Sequence, residues 1–307
     1  MAYSEQTSVA TVADVIDRVA SFAAANGWTV DSNVLAGAQR TVTLHKSGVS
    51  DYVHIYNTTG SIVRMRISVG YTPGALPSAQ PNVSGECVTT LEDGPYPKIF
   101  MFASGDQVWT SLAIARNAEY RHFTFGVLDK VGVYNGGTYV AGTDWGRGSS
   151  WVSFSQNSAP FFSSSTTVSG GRVRADAVDD ARVNFMFNIL GAANSANAQS
   201  DVGADLGGLS SALAERADRN AFSGRSVVHP IALYAGRVGP SVFYSPIGVV
   251  HDVRACSLEK LEAEQEITIG ADVWKVFPVA AKRPMGGPSG VQPAASGNYA
   301  FAVRKVA

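Results

Sequence analysis

Cysteine, charge and long apolar runs are all scarce in this sequence. Cysteine occurs only at Cys87 and Cys256, too few for a disulfide framework or a thiolate metal cage, and without the CxxC spacing of a redox pair. Charged residues make up 16% and the formal net charge is −1, against roughly 25% charged residues in an average soluble protein. A chain so near neutrality lacks the basic excess by which nucleic acid or anionic lipid is captured. No stretch approaches the ~18 uninterrupted apolar residues of a membrane-spanning helix. The opening residues, MAYSEQTSVATVADVIDRV, carry an early acid and no basic segment ahead of an apolar one, so no secretory leader is expected. Buried thiols in a reducing cytoplasm are the expectation for the cysteines.

Familiar catalytic signatures are missing too. There is no G-x-x-x-x-G-K-[ST] phosphate loop, no G-x-G-x-x-G after a strand, no G-x-S-x-G elbow, no HExxH and no EF-hand loop. Catalytic, cofactor-binding and metal-ligating residues are therefore not assigned. What the chain does have is core-forming material: 45% of its 307 residues are apolar, 10% are aromatic and 31 are glycine. That composition excludes disorder as the main state.

The apolar pattern starts helical and turns to period two. Thr11 and Asp14 form a capping-box pair, Val15, Val19 and Phe22 fall at i, i+4 and i+7, and Gly27 supplies the stop, which predicts one N-terminal amphipathic helix. Trp28 and Val30 then lead into the core. From about residue 40, alternation at Val42/Leu44, Asp51–Tyr56 and Val63–Val69 predicts an antiparallel meander. Residues 71–94, with Pro73, Pro77 and Pro81, read as a long loop. Strands follow at Lys98–Ser104 and Gln107–Ile114 around Gly105-Asp106, and a tight hairpin is expected at Asn135-Gly136-Gly137. Later strands are expected at Val183–Leu190, Val227–Ala235, Val242–Val250, Ile267–Ile269, Val273–Val279 and Tyr299–Val306, with a turn at Gly270–Asp272 and a short helix at Leu209–Arg219. The fold class is mainly β or α+β: antiparallel sheets, sandwich- or barrel-like, with the N-terminal helix and a few short ones. A boundary near residue 180 divides residues 1–180 from a second β-rich domain at 181–307, unless the two intertwine as one.

Few residues invite chemistry. The five histidines are scattered, with His45 and His54 on neighbouring strands, and none has a partner at metal-ligand spacing. Asp176, Asp179 and Asp180 form one acidic cluster, and Asp201 and Asp205 another. A glycosidase would need two such carboxylates facing one cleft. Tyr134, Tyr139, Trp145 and Trp151, set among Gly-rich turns, offer rings either to a protein interface or to sugar stacking.

Two stretches carry a resemblance. The first runs from Asp93-Gly-Pro-Tyr-Pro-Lys-Ile-Phe-Met-Phe-Ala-Ser-Gly-Asp-Gln-Val108 through Tyr120–Gly126 to Gly136-Gly137. The second runs from Phe222–Ile231 through Ser245-Pro-Ile-Gly248 to Glu266–Pro278. Together with the opening helix and Gly27-Trp28, the chain resembles minor virion structural proteins of tailed bacteriophages, found in the tail, baseplate or neck. That resemblance implies a non-enzymatic, homo-oligomeric subunit, made in the host cytoplasm and built into the virion. Its partners would be copies of itself and other virion proteins. The alternatives are a neck or collar component, a tail-tip module binding host-surface glycan, and a polysaccharide- or peptidoglycan-degrading enzyme. Residues 71–94, 144–171 and 191–208 are the expected contacts with neighbouring subunits.

Overall fold

The computed structural model describes residues 1–58, 60–91, 93–114, 119–143, 170–176, 184–185, 228–237, 243–279 and 299–306. A strand, β1 (Ala2–Val9), precedes the helix α1 (Val12–Ala25). The capping box forms as expected: the Thr11 hydroxyl accepts the Asp14 N–H at 3.1 Å, and the Asp14 carboxylate accepts the Thr11 N–H at 3.0 Å. Two donors of the first turn are thereby satisfied. Val12, Val15, Ile16, Val19 and Ala23 line the buried stripe, and Gly27 closes the helix at φ 89°.

The first sheet is a five-stranded meander of β2 (Trp28–Ala36), β3 (Gln39–Lys46), β4 (Tyr52–Tyr56), β5 (Ile62–Ser68) and β6 (Cys87–Thr90), in that order. The last strand corrects the reading of residues 71–94 as a loop throughout. Cys87–Thr90 pairs with β5 and is wholly buried, while the proline-rich part of the segment stays outside the sheet.

The second sheet holds β7 (Tyr96–Ser104), β8 (Gln107–Ile114) and β9 (Glu119–Val127). The two-residue β10 (Asp129–Lys130) leaves it, and β11 (Asn135–Gly142), β12 (Gly170–Asp176) and β13 (Asn184–Phe185) return to it. Its order is β1-β7-β8-β9-β11-β12-β13. Asn135-Gly136-Gly137 is not the hairpin turn expected of it. The glycines do take positive φ, 96° and 104°, but inside β11, where the register shifts. Such angles suit a bulge as well as a turn, and the chain reverses at residues 131–134 instead. The third sheet comprises β14 (Val228–Arg237), β15 (Phe243–Ser257), β16 (Glu266–Ile269), β17 (Asp272–Pro278) and β18 (Tyr299–Val306). Its order is β10-β15-β18-β17-β16, with β14 also on β15.

The fold is thus mainly β, with three antiparallel sheets and, among the described residues, one α-helix. The middle sheet is buried on both faces, which is why β8 and β9 are covered almost end to end. Alternation on β7 shows the division: Ile99 and Met101 join α1 and the first sheet in one core, and Phe100 and Phe102 face Phe277, Phe301 and Val303 in a second. The boundary near residue 180 falls outside the described residues. Side chains from both sides of it share the second core, and β10 is laid on β15.

Gly94 sits where the chain entering α1 crosses the start of β7. A Cβ there would lie 2.2 Å from the Ala10 carbonyl oxygen, a backbone atom that cannot step aside. Gly94→Ala is expected to cost about 3 kcal/mol, at the upper end of overpacking changes. A melting temperature within experimental error of the parent would contradict this.

Candidate functional site

Of the four aromatics singled out in the sequence, Tyr139 is fully buried in the second core. Its ring is therefore committed to packing and is not open to a sugar or a partner, a correction that follows from the middle sheet having no free face. Tyr134 is half-buried, with the Lys130 ammonium 5.3 Å from its ring centre, and burial pushes its phenol up to about 12. Trp145 and Trp151 lie outside the described residues, as do Asp179, Asp180, Asp201, Asp205, the helix expected at 209–219, and residues 144–169 and 191–208 of the expected contact segments. Cys87 and Cys256 are buried and form no disulfide, and burial pushes the Cys256 thiol up to about 12.

The histidines are better explained by hydrogen-bond chains that fix their tautomers. On β3 and β4, Thr43 and His54 face each other across the ladder. The Ser68 hydroxyl donates to the Gly70 carbonyl at 2.6 Å, so its oxygen accepts from His54 Nε2 at 2.7 Å, and His54 Nδ1 accepts from Thr43 at 3.0 Å. On β8 and β9, Ser111 and His122 are likewise opposed. Trp109 Nε1 donates to Ser111 Oγ at 2.8 Å, Ser111 donates to His122 Nδ1 at 2.9 Å, and His122 Nε2 donates to the Pro278 carbonyl at 2.9 Å. Both imidazoles are thus neutral Nε2–H tautomers, since each Nδ1 receives a hydroxyl proton. Burial pushes both down to about 4, and a nearby arginine, Arg66 for His54 and Arg121 for His122, adds to the effect.

Carboxylates are used in the same way. Glu86 receives Tyr56, Arg64 and Arg66 at the edge of the first sheet. Burial raises its carboxyl, but these three partners outweigh that and hold it below its ordinary value. Glu264 binds Lys98 at 2.8 Å and the Tyr120 hydroxyl at 2.7 Å, fastening the turn after β15 to the middle sheet. His45 and Asp31 meet at 2.7 Å beside the rings of Tyr52 and Tyr71. His45 and His54 do lie on adjacent strands, but each has its own partners. Among the described residues, no group of three or more His, Cys, Asp or Glu is placed to hold a metal ion, and no helix is long and apolar enough to cross a membrane.

The outer surface has the opposite character. Among the described residues, the exposed large apolar side chains are Val34, Leu35, Leu76, Val131, Val133 and Ile269. Val34 and Leu35 lie at the end of β2 before Gly37-Ala38, Leu76 in the loop between β5 and β6, Val131 and Val133 between β10 and β11, and Ile269 at the end of β16 before Gly270. With the turn expected at Asn135-Gly136-Gly137, the sequence reading singled out neither Val131 nor Val133, although they are an apolar pair flanking Gly132. A cleft of about 440 Å³ opens where α1 begins, between the β2–β3 turn and Asp93-Gly94.

Comparison of the sequence with protein-family models and with curated proteins finds no match.

Proposed function

We propose that this chain is a non-enzymatic structural subunit of a tailed-bacteriophage virion, placed in the tail or baseplate and acting through symmetric assembly with itself and other virion proteins. The observation that carries the reading is the division of side chains. Among the described residues, His54, His122, Glu86 and Glu264 are engaged in bonds within and between the sheets, whereas apolar side chains stand exposed at strand ends and turns, where a neighbouring subunit would bury them. The two stretches that resemble phage virion proteins supply β7–β9 and the start of β11 on one side, and much of β14–β17 on the other. They meet across the second core. Of the two ring candidates among the described residues, Tyr139 is buried and Tyr134 partly accessible.

Immunogold electron microscopy of purified tailed particles tests the placement, with antibody raised to the native protein. Label along the tail or at its distal end is the expected result. Label at the head–tail junction would replace tail with neck, and particles that carry neither label nor peptides of this chain would overturn the reading.

A further inference from the structure

The dipeptide Asn-Gly occurs twice in the sequence, at Asn26-Gly27 and Asn135-Gly136, and the fold treats the two differently. Asn26 closes α1. Its backbone N–H donates to the Ala23 carbonyl at 2.9 Å, and its side-chain amide donates to the Phe22 carbonyl at 2.7 Å. Asn135 is exposed, and among the described residues no hydrogen bond holds its side-chain amide. It is the first residue of β11 and forms the last pair of the ladder with β12. The register shift between Gly136 and Tyr139 separates this end from the rest of that ladder, and pairing with β9 begins only at Thr138. Asn135 and Gly136 are therefore paired on one side only, at a strand end, where local opening costs least.

Glycine favours reaction of the asparagine before it. With no Cβ it leaves its own backbone nitrogen unshielded, and Gly136 sits at φ 96°, where a side chain would be strained. We infer that Asn135 is a modification site, its amide converted to an acid by the protein's own backbone. The Gly136 nitrogen gives up its proton to a solvent base and bonds to Asn135 Cγ, and Nδ2 leaves as ammonia. Water then opens the five-membered imide. Breaking the bond to Cγ gives aspartate. Breaking the bond to the backbone carbonyl carbon gives isoaspartate, whose chain runs through Cγ. Water is consumed, ammonia is released, and nothing is oxidised or reduced. Either product adds a negative charge to a chain whose formal net charge is −1. Asn135 stands opposite Asp176 in the register, so the product sets two acids at paired positions, which weakens an antiparallel pair. At Asn26 the amide has to leave the Phe22 carbonyl before Cγ can turn toward the Gly27 nitrogen.

Peptide mapping by mass spectrometry tests this on the full chain, aged in mildly alkaline buffer and sampled over time, beside the same chain aged in guanidinium chloride. In the native protein, conversion at Asn135 is expected to run about tenfold ahead of conversion at Asn26, the effect of one hydrogen bond that must open first. In guanidinium neither amide is held, and the two rates should come together. The acidic form that accumulates on ion exchange should be missing from Asn135→Gln, whose longer side chain closes a less favourable ring. Three results would overturn the inference: Asn26 converting as fast as Asn135 in the native chain, an Asn135 amide that stays intact while the denatured chain converts, or a rate difference that persists unchanged in guanidinium.

Discussion

Lowering the pH from 7 to 4 is expected to remove about 6 kcal/mol of folding free energy through two histidines, His54 and His122. Each is neutral in the fold because burial pushes it from 6.5 down to about 4. In the unfolded chain each takes up a proton as the pH falls through 6.5. Between 6.5 and 4 the unfolded state therefore binds more protons, and stability falls with pH. Above that window both states are neutral, and below it both are charged, so the slope vanishes at either end. A shift of that size is worth about 3 kcal/mol per histidine, and a domain's total stability is only about 5–15 kcal/mol. The geometry gives the same sign, since a proton on Nδ1 would confront the Thr43 or Ser111 hydroxyl that now donates to it. Urea unfolding across the range should show the loss, and His122→Gln, which keeps a donor for Pro278, should flatten the curve. Imidazole resonances titrating near 6.5 in the folded protein would contradict the account.

Arg121→Met is expected to cost 3–5 kcal/mol, the range for leaving one member of a buried ion pair without the other. Arg121 is fully buried and Glu119 nearly so, and they meet at 2.9 Å on the face of β9 that carries Phe123 and Phe125 toward the first sheet. A second Arg121 nitrogen donates to the Tyr120 carbonyl at 3.0 Å. With the guanidinium gone, the Glu119 carboxylate stays in an interior that cannot solvate it. Replacing both residues together removes that burden, so Arg121→Met with Glu119→Leu should recover most of the loss. Denaturant unfolding of the two single variants and the double variant at pH 7 measures this coupling. A single-variant loss of under ~1 kcal/mol, as for a surface pair, would mean that water reaches the site.

What was legible in the sequence was whatever short-range chemistry decides. Thr11, Asp14 and the Val15/Val19 stripe announce α1, and alternation announces β3, β4, β5, β7, β8 and β17. β1 escaped because it lies at a sheet edge and its side chains, Glu5 and Thr7 among them, carry no apolar alternation. β6 escaped because prolines dominate the segment before it. Asn135-Gly136-Gly137 revealed its backbone angles but not their use, since bulges and turns ask for the same residues. The networks were out of reach for a different reason. His122 meets Pro278 and Tyr120 meets Glu264 across 156 and 144 residues, so the role of each depends on which sheet faces which. Tyr139 was read as an exposed ring because the doubly covered middle sheet cannot be seen from one strand.

Quantitative mass spectrometry of purified tailed particles tests the central claim most directly. The account predicts that this chain is present at a fixed ratio to the other tail proteins, with a copy number that matches a symmetric assembly. Its absence from particles, or a trace amount that varies between preparations, would contradict it.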